Sequence, residues 1–231
     1  MMSEAAESRG ARGERTRLRR LPEKAVHDKD TLYAVLDSAL VAHVAVVEGD
    51  QPFVVPMACA RDGDRLLLHG STASRLLRNL AAGAPTCATV TLLDGLVYAR
   101  SAFESSMHYR SAVVFGVAAR VPETEVLDAL RVLTEHLLPG RWAELRPSTR
   151  KELAATSVLA LPLAEWSVKV SDGAPDDPDD DLDSPVWAGV LPLTLAAGMP
   201  QDAPDLGGDR PVPAHVGAQY PRLQSSPPAA P

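Results

Sequence analysis

Apolar and polar positions alternate through much of the middle of the chain, and the alternation is broken by turns that contain glycine. "VAHVAVV" (41–47) reads as a half-buried strand that turns at Glu48-Gly49-Asp50 and returns as "PFVVPMACA" (52–60). Asp62-Gly63 leads into "RLLLHG" (65–70), and "TCATVTLL" (86–93) is followed by Asp94-Gly95 and "LVYARSA" (96–102). Asp-Gly between apolar runs predicts a hairpin, because both turn residues tolerate positive φ. Two longer strands are predicted over 108–121 and 157–170.

Helical periodicity is rarer. Asp30 is placed to cap "TLYAVLDSA", and "ASRLLRNLAAG" stops at Gly83 and Pro85. "TEVLDALRVLTEHLLPG" sets Val126, Leu130, Leu133 and Leu137 on one face, and "STRKELAAT" has capping-box spacing from Thr149 to Glu152. This order lacks the strict strand–helix alternation of a doubly wound sheet. It predicts a mainly β fold, an antiparallel barrel with helices packed outside.

The periodic region spans 19–195 and reads as one domain. Residues 1–18 are polar and Arg-rich, a solvated basic arm. Residues 196–231 are crowded with Pro and Gly and lack periodicity, so they are predicted to be disordered.

Charge changes little in this picture. The formal net charge is −7, yet the stretch 172–183 alone holds seven Asp and no Lys or Arg. The remainder sums to about zero, which leaves no field to attract nucleic acid. Cys59 and Cys87 sit in strand-like runs without a disulfide framework or a metal-type pair. His27, His43, His136 and His215 have no ligand spacing, so no metal site is expected. No window is long and apolar enough for a membrane span, and the expectation is a soluble, cytoplasmic protein.

Chemistry concentrates at "LLLHGSTASRLLRNL" (66–80), where a strand hands over to a helix. The first amides of a helix lack intrahelical partners and attract anions. Gly70 allows close backbone approach, Ser71, Thr72 and Ser74 bring hydroxyls, and Arg75 adds a forked cation. These suit a phosphate monoester. A plain Ser cap with a surface Arg accounts for the same residues. His69 precedes the loop. In "HYRSAVVFG" (108–116), Tyr109, Arg110 and Ser111 open an otherwise apolar strand. Arg110 suits a ligand phosphate or carbonyl, and equally a salt-bridged strand end. Lys169 ends a strand, and Trp187 follows the acidic loop as a core anchor or a ring beside a planar ligand.

Taken in order, "RRLPEKAVHD", the 41–83 segment, "HYRSAVVFGVA", "LPGRW" and "PVWAGVLPL" resemble the pyridoxamine 5′-phosphate oxidase-like flavin-binding split-barrel family. The branch most similar is that of flavin-nucleotide-binding proteins akin to nitroimidazole reductases, and the similarity runs from about Arg19 to Leu193. The resemblance implies a six-stranded antiparallel split β-barrel with packed helices. It also implies a homodimer with FMN in a cleft at the subunit interface. It assigns the flavin phosphate to Gly70, Ser71, Thr72, Ser74 and Arg75, and the ring and ribityl chain to Tyr109, Arg110 and Ser111. Lys169 and Trp187 would lie near the ring or phosphate. A His stands at the position of His69 in the nitroimidazole-reductase branch, close to the flavin, where it would polarise or protonate a small substrate; a hydrogen bond to barrel backbone is the plain alternative. His108 stands where an Asn is expected, and the Arg-x-His element of true pyridoxamine phosphate oxidases is missing, so vitamin interconversion is not expected. The implied activity is an FMN-dependent oxidoreductase acting on a small, aromatic or nitro-type molecule. A non-catalytic flavin or haem binder and a deazaflavin-dependent reductase are the alternatives.

Overall fold

In the computed structural model, which describes residues 14–208 and 210–218, Gly49 and Gly63 make the first two reversals, each at φ 58°. That left-handed conformation is open to glycine without the cost a side chain would bring. They join β2 (Val41–Glu48) to β3 (Gln51–Asp62) and β3 to β4 (Arg65–Ser71). The other strands are β1 (Ala25–Val26), β5 (Pro85–Tyr98), β6 (Ser106–Val117), β7 (Ala119–Arg120), β8 (Thr156–Pro162), β9 (Glu165–Ser171) and β10 (Gly189–Pro192). Ten strands form one antiparallel sheet in the order β1-β9-β6-β5-β2-β3-β4-β8-β7, with β10 added to β5. The expected mainly β architecture is therefore present. The strand number exceeds six because short strands line the edges and because the 157–170 run is two strands.

Those two strands do not pair with each other: β8 joins β4 and β7, whereas β9 joins β6 and β1. Pro162, which has no N–H to donate, stands at the end of β8 where the chain leaves for the other side. A second departure is at Asp94-Gly95, predicted as a hairpin turn. Here β5 runs straight through, with a bulge between Leu93 and Gly95 opposite Tyr109 and His108. Asp94 is the extra residue. Its carboxylate is nearly buried and accepts from both Nε and Nη2 of Arg110, at 2.9 and 2.8 Å. Gly95 lies so close to β10 that a Cβ there would sit 3.1 Å from the Leu191 carbonyl oxygen.

The helices are α1 (Lys29–Ser38), α2 (Arg75–Ala81), α3 (Val126–Leu137), α4 (Arg150–Ala155) and α5 (Ala214–Ala218). The cap of α1 is Asp28 rather than Asp30: its Oδ1 accepts the Thr31 amide at 2.7 Å. The Thr149–Glu152 capping box of α4 forms as expected. Alternation along β4 divides the core. Leu66 and Leu68 point into the barrel with Leu32, Leu36, Leu159 and Leu161, while α2 closes one end with Leu76, Leu77 and Leu80. Leu67 points the other way, into a second cluster with Ala60, Val158 and the Ala129 and Leu133 face of α3. Each fully buried Leu contributes about 1.5–3 kcal/mol.

The chain ends are more engaged than predicted where they are described. In the arm, Arg15 forks onto Glu165 of β9 at 3.0 and 2.6 Å, and Thr16 is buried. In the Pro-rich tail, α5 brings His215 against Gly140, where a Cβ would lie 3.0 Å from the His215 Cβ. The rest of both tails, 1–13, 209 and 219–231, lies outside the described residues. Among the described residues, no helix is long and apolar enough to cross a membrane.

Candidate functional site

The junction of β4 with α2 carries the first group of candidate residues. Ser74 is the helix cap, its Oγ accepting the Leu77 amide at 3.4 Å. Ser71 Oγ accepts the Ala73 amide at 3.1 Å, the Ser74 amide donates to Ser71 O at 2.9 Å, and the Thr72 amide donates to Ala155 O at 2.9 Å. The loop amides expected to cradle an anion are thus largely bonded within the protein. What remains for an anion is the Ser71 and Thr72 hydroxyls, the Arg75 and Leu76 amides, and the Arg75 guanidinium. Arg75 lies 4.0 Å above the Phe53 ring and meets Glu48 once, Nε to Oε2 at 3.3 Å. Stacked in this way, the guanidinium is oriented while its terminal nitrogens stay exposed. Gly70 serves packing rather than ligand approach: the space of its missing Cβ is taken by Leu77 Cδ1, 2.9 Å away.

His69 lies on the outward side of β4, one pleat beyond Leu67 and opposite Val158. Its Nδ1 is buried with no hydrogen-bond partner, so the backbone bond considered for it is not made. Burial holds the imidazole pKa below its ordinary value, which keeps the ring neutral with a free lone pair.

The outward face of the neighbouring strands is almost free of charge. Register partners share a face. Val41 with Ala58, His43 with Pro56, Ala45 with Val54 and Val47 with Pro52 therefore all point away from the barrel interior. Val47 and Val54 are 61% and 58% exposed, far more than a packed barrel strand requires. The surface continues onto β5 and β6 through Cys87 with Phe115 and Thr89 with Val113.

The second group sits farther along the same sheet. Tyr109 and Ser111 share a face, Ser111 is paired with Lys169 of β9, and the Lys169 ammonium is 5.8 Å from the Tyr109 ring centroid. Lys169 has no carboxylate within ion-pair reach among the described residues. Arg110 alternates to the other side and is held by Asp94, which raises its pKa further. Trp187 is 67% exposed, with its ring over Gly189 and 5.6 Å from Tyr98. Four strand spacings separate β4 from β6 along the hydrogen-bonded path, roughly 19 Å. Along the sheet, the candidate residues therefore fall in two groups with β3, β2 and β5 between them. Sequence reasoning missed Glu48, Phe53 and Asp94, the partners that orient Arg75 and Arg110. Each lies on another strand, and nothing local marks it.

Among the described residues, no group of three or more His, Cys, Asp or Glu is placed to hold a metal ion. Cys59 is inert, its thiol pushed up to about 12 by burial.

The family model for pyridoxamine 5′-phosphate oxidase matches residues 28–170. Among solved structures, the FAD and heme binding protein from Mycobacterium smegmatis is 46% identical, with a TM-score of 0.83 over 85% of this chain and 97% of that one. The flavocytochrome Anf3 from Azotobacter vinelandii is 39% identical, with a TM-score of 0.84 over 89% of this chain and 96% of that one. No curated protein matches the chain.

Proposed function

The chain belongs to the pyridoxamine 5′-phosphate oxidase family, and from that premise we propose that it is a cytoplasmic, homodimeric redox protein that binds a flavin nucleotide and haem. The observation that carries this reading is His69: an unpartnered, neutral imidazole beside an uncharged apolar face, in a chain 46% identical to an FAD- and haem-binding protein.

The residues fit both groups. The Ser71 and Thr72 hydroxyls and the stacked Arg75 would hold the flavin phosphate, and the unpaired Lys169 beside Tyr109 and Ser111 would neutralise charge near the ring. His69 would hold the haem iron through an imidazole nitrogen, since a neutral imidazole is a common haem ligand. Its lowered pKa favours this role over proton donation to a substrate, because a ring neutral near pH 7 has little acid to give. The apolar outward face of β2 and β3 would exclude water from the macrocycle. When bound, flavin and haem supply the electron chemistry, and the protein supplies orientation, charge balance and dryness. A small molecule would be the final donor or acceptor. A second copy laid on the outward face would bring one subunit's β6–β9 group toward its partner's β4–α2 group; along one sheet the two groups lie four strand spacings apart.

The absorption spectrum of the purified protein tests this. Flavin bands and a Soret band are expected together, and His69→Ala should lose the Soret band while keeping flavin. A Soret band that survives in His69→Ala removes His69 as ligand, and a protein that takes up neither group ends the reading.

A further inference from the structure

A cavity of about 470 Å³ lies against the back of the 71–75 loop, between β8, the start of α3 and the end of α4. Its volume is that of a small-ligand site, about 300–1,000 Å³. Thr72, Arg120, Glu123, Thr156 and Ser157 give it polar walls, and Val126, Leu127, Leu153 and Val158 give it apolar ones. It touches the residues given to flavin and haem through Thr72 and through Val158, the register partner of His69, but Arg120, Glu123, Leu127 and Leu153 have no part in those assignments. Its cation is available: Arg120 donates only to Ser157 Oγ, at 3.3 Å, and has no carboxylate within ion-pair reach among the described residues.

Thr72 joins this cavity to the loop assigned to the flavin phosphate. It lines the cavity, and its amide bonds to Ala155 O, the last residue of α4. The short β7, which carries Arg120, also packs beside α2. A flavin mononucleotide would end at the loop. A dinucleotide continues from that phosphate through a second one to a ribose and a flat purine. The walls match that order: a guanidinium for the second phosphate, Thr and Ser hydroxyls with the Glu123 carboxylate for ribose hydroxyls and the exocyclic amine, and aliphatic side chains for the base.

We propose that the Arg120 cavity is the adenylyl subsite of a flavin dinucleotide whose first phosphate sits at Ser71–Arg75. The proposal rests on the assignment of flavin to that loop, and the test separates the two. Flavin-free full-length protein is titrated with FAD and with FMN, following flavin fluorescence, and ADP is added as competitor. FAD should bind about 10- to 100-fold more tightly than FMN, which is the worth of one charge-assisted hydrogen bond. ADP should displace FAD and leave FMN in place. Arg120→Met should bring FAD affinity down to that of FMN without moving FMN itself. Leu127→Trp, at a half-exposed position, should do the same by filling the cavity. Equal affinities in the unaltered chain overturn the subsite while leaving flavin at the loop. So does an FAD preference that survives both variants. If neither flavin binds, the flavin assignment falls and takes the subsite with it.

Discussion

His69 is neutral because it is half enclosed and unpartnered, and that has a direction in pH. Its folded pKa lies below the ordinary imidazole value of 6.5, so in the window just below that value the unfolded chain takes up the proton first. The stability associated with the neutral ring is complete above 6.5 and is lost as pH falls toward the folded pKa. Between about pH 7.5 and about pH 5.5, urea midpoints of the unaltered chain should therefore fall more than those of His69→Gln. Haem affinity should fall over the same window, since a protonated ring cannot ligate. Equal midpoint shifts in the two proteins would show that the ring is free to charge in place.

At the scale of elements, β5 carries the principal surprise. Gly95 is needed by the strand that joins it, with the Leu191 oxygen 3.1 Å from where a Cβ would be. Gly95→Val should push β10 away at a cost of about 1–3 kcal/mol, read as a lower denaturant midpoint with faster amide exchange in 189–192. Retained midpoint and exchange would mean that the bulge has room to spare. The same site shows where sequence reasoning stops. The Gly49 and Gly63 turns, the α4 capping box and the Val126, Leu130 and Leu133 part of the α3 stripe were legible, because each is settled by residues within a few positions. Leu137 of that stripe is instead exposed, and Ala129 is buried in its place. Asp94-Gly95 has the same local signature as a turn, but Arg110, sixteen residues on, claims Asp94 and keeps the strand continuous. Ser71, Thr72, Ser74 and Arg75 could be picked out in the sequence for the same local reason. That the Thr72 amide is bonded to Ala155, and that Arg75 stacks on Phe53, depends on chain far away.

For the whole molecule, the outward face of β2 and β3 is the feature that a single subunit does not explain. Val47 and Val54 stand more than half exposed on strands whose other side is core. Covered by a second copy, each would gain about 1–2 kcal/mol from its remaining exposed surface leaving water. Sedimentation of the unaltered chain should give a dimer, and Val54→Lys should give monomers that retain the far-ultraviolet signature of the fold. Monomers from the unaltered chain at micromolar concentration would leave that face for another partner.

The bonds from Thr72 to Ala155 and from Ala73 and Ser74 to Ser71 have a consequence for how the protein is filled. A hairpin of chain already satisfied by its neighbours needs no guest to hold its shape. Emptying and reloading should thus be a matter of trading water for an oxyanion, and occupancy should track the ambient supply of coenzyme as a rigid socket does.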